Sequence, residues 1–139
     1  MNREHNTNNT GILFIQKLLE LQIQMKIHHW QTTNYARHKA SDHFMDDMDK
    51  LIDRFIECFQ GKYGRIRFER GERETSTIVL KNIGDNGAID KLKKTREFLS
   101  IDCEELLEER HRQSNFDLLA IRDEMLELIN KYIYLFTLQ

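Results

Sequence analysis

Apolar side chains recur at spacings of three and four along most of the chain, the period of helices with one buried face. The first such stretch starts near Gly11 and runs to about Thr32, with Phe14, Leu18, Leu21, Met25 and His28 as its seam. Inside it, "LQIQMKI" also alternates apolar and polar, as a strand does. Leu, Gln, Met and Lys favour helix and the flanks extend the helical period, so helix is the expectation. "TTN" at 32–34 supplies capping side chains for a second helix, from about Asn34 to Gln60. Phe44, Met45, Met48, Leu51, Ile52, Phe55 and Phe59 make its apolar side.

The rhythm then breaks. Residues 61–86 hold most of the glycines and two short β-like runs, "IRF" and "TIVL", around Gly71-Glu72. They read as a long connection with room for a small hairpin. A third helix follows from about Ala88 to Arg112. Ser114, with Asp117 three residues on, is the expected cap of a fourth, whose seam is Leu118, Ile121, Met125, Leu128, Tyr132 and Phe136. Residues 1–10 read as a disordered arm, and 11–139 as one all-α domain. Two helices, a long crossover and two more helices is the ferritin-like way of closing a four-helix bundle.

Composition agrees with that outline. The chain has no proline and few glycines, and 139 residues suffice to bury a core. Lys and Arg number 21 against 23 Asp and Glu, a balance that gives no global pull toward nucleic acid or membrane. Cys58 and Cys103 are two and far apart, which points to a reduced, cytoplasmic setting and structural thiols. "MNREHNTNNT" has no apolar signal region, and no apolar run is long enough to span a bilayer.

The second helix carries the candidate chemistry. At about 100° per residue from His38, Asp42 falls at about 40°, Asp53 at about 60° and Glu57 at about 100°. These four share one stripe as two i,i+4 pairs, His38/Asp42 and Asp53/Glu57, and each pair can hold one ion. The pairs start fifteen residues apart, about 22 Å along the axis, so one ion cannot touch both. Two copies of this helix, antiparallel across a twofold axis, would bring the first pair of one against the second pair of the other. An imidazole with three carboxylates suits ferrous iron, manganese or zinc, and His29 can add a second imidazole. The plainer alternative is a solvated acidic face, which is the expectation for Asp46, Asp47 and Asp49. His43 reads as a bystander.

At these residues the chain resembles the DNA-binding proteins from starved cells (Dps, the mini-ferritins). The matching positions are His29-Trp30, Asn34-Tyr35, His38, Asp42, Asp53 and Glu57. The last four agree without a gap, whereas the segment from His-Trp to His is three residues shorter here. The resemblance covers roughly residues 12–60. It implies a ferroxidase centre between subunits of a hollow dodecamer, iron storage and protection against oxidative damage. His29, His38 and Asp42 would bind from one subunit and Asp53 and Glu57 from its twofold mate. Trp30 would lie beside the iron as an electron donor. The arm, with Arg3 against Glu4, is unlike the lysine-rich tail some relatives use on DNA. The segments "HWQTTNYARHKASD", "QGKYGR" and "IYLFTL" also look like a family of short uncharacterised proteins from large DNA viruses. That second likeness implies a virus-encoded, virion-associated protein.

Rival readings come from other stretches. "EERH" offers Glu108 and His111 as half of an intra-bundle di-iron motif, but no second Glu-x-x-His appears in the other helices. "KYGRIRFERGER" interleaves Lys62, Arg65, Arg67, Arg70 and Arg73 with Tyr63 and Phe68, as nucleic-acid-binding modules do. Glu69, Glu72 and Glu74 dilute that charge. A metal-free helical oligomer is the remaining non-enzymatic alternative.

Overall fold

Four helical rods account for nearly all the regular structure in the computed structural model, which describes residues 2–68, 77–108 and 112–138. Helix α1 spans Asn2–Gln31, α2 Tyr35–Tyr63 and α3 Asp85–Glu97. A π-helical turn at Phe98–Asp102 leads straight into α4, Cys103–Glu108. A 3-10 turn at Arg112–Asn115 opens α5, Phe116–Leu135. The protein is all-helical, and no strand occurs among the described residues.

Contacts set the helix directions. His29 lies on His38 and Gln22 donates to Met45 O, so α1 and α2 are antiparallel. Glu20 pairs with Lys91 and Phe14 meets Phe98, so α3 also runs against α1. Arg37 meets the end of α5 and Lys62 its start, so α5 runs against α2. The core lies between the four rods. Phe14 sits edge-on to Phe55 and Phe59, with centroids 5.2 and 5.7 Å away. Leu18, Leu21, Met48, Leu92, Leu99 and Leu118 fill the space around them, all fully buried.

Several expectations change. The arm expected over residues 1–10 belongs to α1, which is helical from Asn2. Tertiary contacts extend the helix beyond its weak local propensity. Asn8 exchanges two hydrogen bonds with the Arg67 backbone, at 2.9 and 2.8 Å. Gly11 is buried where an added Cβ would come within 2.6 Å of Ile66, so α1 makes a close approach there that a side chain would block. The cap of α5 is Asn115 rather than Ser114. The Asn115 side chain donates to Leu107 O at 2.8 Å and accepts from the Tyr63 hydroxyl.

The third rod carries a π turn that spacing did not predict. A widened turn loosens the carbonyl ladder, and the buried Arg122 donates to Leu99 O at 2.9 Å within it. Between α2 and α3 the hairpin expected around Gly71-Glu72 lies outside the described residues. Residues 77–83 form a strap along α1. Gln16 donates to Thr77 O, Gln24 to Val79 O, and Gln31 accepts from Ile83 N. No helix among the described residues is long and apolar enough to cross a membrane.

Candidate functional site

A three-residue turn brings the last turn of α1 against the first turn of α2. Asn34 caps α2 by accepting from Arg37 N at 3.1 Å, and its own N–H donates to Thr32 Oγ1 at 3.2 Å. The shortened turn therefore places His29 directly on His38, with ring centroids 3.9 Å apart and planes 15° from parallel. The two residues also bond reciprocally. His29 Nδ1 lies 2.8 Å from His38 O, and His38 Nδ1 lies 2.8 Å from His29 O. A carbonyl can only accept, so each Nδ1 carries a hydrogen, and Nε2 is the nitrogen through which either ring could bind a metal. Ser41, fully buried one turn along, donates to His38 O at 3.0 Å and lies 3.3 Å from His29 Nδ1. A backbone carbonyl on the far nitrogen is how proteins orient metal-ligating imidazoles.

The carboxylates are arranged differently. Asp42 stands exposed one turn after His38. Asp53 and Glu57 are exposed near the middle and far end of α2, and no hydrogen bond or ion pair engages them among the described residues. No group of three or more His, Cys, Asp or Glu side chains close enough to hold a metal ion occurs among the described residues. One copy thus brings His29 and His38 together, with Asp42 one helical turn along α2, and sets Asp53 and Glu57 well apart from them. Trp30, 68% exposed, is the next residue along from His29, with Lys26 Nζ 5.6 Å from its ring centre. Tyr35 stacks on His38, with centroids 6.4 Å apart.

Behind the imidazoles lies a buried polar lock that sequence reasoning missed. Arg37 donates to Phe136 O at 2.6 Å, closing the C-terminus of α5, and to Asp85 O at 2.9 Å, at the start of α3. Its guanidinium lies 4.3 Å from the centre of the Phe136 ring. His28, fully buried, accepts from Arg37 at 3.5 Å, and burial followed by the nearby Arg37 charge pushes its pKa down. His28 was placed on the seam by its spacing, but nothing in the sequence marks Arg37 as buried.

The other candidates fare differently. Lys62 is held by Asp117 and Ser114 O, which removes one cation from the basic loop. Arg65 and Arg67 are exposed, while Arg70, Arg73 and His111 lie outside the described residues. Cys58 donates to Asp117 at 3.0 Å, a bond that with burial raises its pKa. Cys103 is buried, which pushes its thiol up to about 12, and neither cysteine is in a disulfide.

These features define an all-helical protein with a half-buried, backbone-oriented imidazole pair where its first two helices join. The chain belongs to a family of unknown function, DUF5856, which matches residues 29–136 and so includes every candidate ligand. No curated protein matches the chain, and no solved structure does.

Proposed function

We propose that the protein is a Dps-like ferroxidase and iron store, oxidising ferrous iron at a site completed by two copies of the chain. The observation that carries this reading is the His29/His38 pair. The rings are stacked and both Nδ1 atoms are engaged by carbonyls, so a metal would bind through Nε2 of each. Asp42, one turn along α2, would swing in to add a carboxylate, and Asp53 and Glu57 of a second copy would complete the set. Two imidazoles and three carboxylates fit ferrous iron and favour the ferric product. Iron is the substrate: each ion gives up one electron to peroxide or dioxygen, and the ferric product is held inside the assembly. Trp30 is placed in sequence to supply an electron. The helix directions support the ferritin-like bundle with its long crossover, and a hollow dodecamer is the assembly that the Dps resemblance suggests. The two unpaired thiols suit a reducing cytoplasm, whether in a cell or in a host infected by a DNA virus.

Anaerobic ferrous titration followed by addition of peroxide or dioxygen tests the reading. The expected result is saturable ferrous binding at two equivalent sites per pair of chains, then rapid oxidation. Absence of saturable binding in an assembled protein overturns it and favours a metal-free helical oligomer. Residues 1–10 set Arg3 against Glu4 and the chain's net charge is −2, so the reading includes no DNA binding through residues 1–10.

A further inference from the structure

Helix α1 is apolar on two opposite sides. Phe14, Leu18, Leu21 and Met25 fill the core from one of them. On the other, Ile12, Ile15, Leu19, Ile23, Ile27 and Trp30 lie within a stripe about 120° wide, which Gln16 and Lys26 share. Leu19 is 40% and Trp30 68% exposed. The four isoleucines are half-buried and stand outside the core cluster. A helix with apolar residues on two opposite sides calls for cover on both. Among the described residues, α2 and α3 cover its core side and flanks, and the strap reaches only the edge of the stripe, at Gln16.

We propose that this outer stripe docks a second copy of the same chain, antiparallel, about a twofold axis level with Leu21. Two registers identify the occupant. The first is internal to α1: about Leu21 the stripe is its own mirror, pairing Ile12 with Trp30, Ile15 with Ile27 and Leu19 with Ile23. A twofold interface needs such a self-complementary pattern, and a foreign partner does not. The second comes from α2 and rests on the ligand set proposed above. His38 and Asp42 meet Glu57 and Asp53 of a second copy only if the axis lies midway between residues 47 and 48. His29 is level with His38 and Gln22 with Met45, so that axis crosses α1 midway between residues 19 and 20. The two axes agree within one and a half residues, about 2 Å of helix rise. Asp46 and Asp49 face each other across this axis and repel, so the apolar stripe supplies the attraction.

The test is sedimentation of the full-length chain in chelator, comparing wild type, Leu19→Lys, Ile23→Glu and an equimolar mixture of the two variants. Wild type associates. Each variant alone remains helical by circular dichroism but associates at least about tenfold more weakly, because a charge faces an apolar side chain twice per dimer. The mixture recovers association, since the introduced amine then faces the introduced carboxylate while Ile23 and Leu19 meet at the other contact. A monomeric wild type, or helical variants that associate like wild type, overturns the docking surface. So does a mixture that fails to recover. Ferrous binding is read on the same samples: association without it retires the iron reading and leaves the docking surface standing.

Discussion

The two halves of the candidate site differ in how much the fold does for them. His29 and His38 are clamped by two carbonyls, a stack and Ser41. Asp53 and Glu57 stand exposed on the same helix, with no hydrogen bond or ion pair to hold them among the described residues. The imidazole half is therefore preorganised, and the carboxylate half can be ordered only by what it binds. That difference is expected of a site whose neutral ligands select geometry while its anions supply charge.

Separating the halves has the largest expected effect. His38→Ala/Asp42→Ala and Asp53→Ala/Glu57→Ala subunits are each expected to be inactive. Mixing them should restore one intact site per mixed dimer, read as recovered ferrous oxidation. Activity in a verified monomer contradicts this, because about 22 Å exceeds any side chain's reach.

Single changes rank the ligands. Glu57→Ala is expected to slow ferrous oxidation more than about tenfold, and His29→Ala less, since a neutral imidazole contributes no charge. Asp49→Ala, on the same helix and outside both pairs, should not slow the reaction. Equal losses from Glu57→Ala and Asp49→Ala would reduce the helix to a diffuse acidic surface.

Stability probes the clamp itself. Arg37→Met leaves the carbonyls of Phe136 and Asp85 without their buried donor. Each such loss costs roughly 1–3 kcal/mol, so urea denaturation should show a destabilisation of about 3 kcal/mol. A change under about 0.5 kcal/mol would mean the lock is already wet.

The smallest effect lies at the opposite end of α2. Asp117 is brought down to about 2, where burial opposes the shift and hydrogen bonds from Cys58 and Lys62 outweigh it. A depressed carboxylate contributes stability above its ordinary value of 3.8, and that contribution is lost as pH falls toward about 2. Asp117 is half-exposed, so solvent screening leaves about 1 kcal/mol or less. Asp117→Asn should lower stability at neutral pH by that amount, flatten the acid limb of a stability–pH curve over that window, and leave stability near its acid end nearly unmoved.

The four helices were legible because burying one face of a helix imposes a three-four period on the chain itself. Phe14, Leu18, Leu21 and Met25 announce their face by spacing alone, as do Phe44, Met48, Ile52, Phe55 and Phe59. The i,i+4 pairs on α2 were legible for the same reason, since helix rise makes neighbours of residues one turn apart. Other features depend on partners far along the chain. Asn2–Gln31 is one helix because Asn8 and Gly11 meet the segment after α2. The π turn sits where Arg122, from α5, can reach Leu99 O. Arg37 is buried because three helix ends converge on it. The protonated nitrogen of His29 or His38 is chosen by a carbonyl nine residues away. Periodicity is local and survives in the linear sequence. Burial of a charge, the choice of a tautomer and the placing of a cap are settled only when distant segments bring their donors and acceptors together.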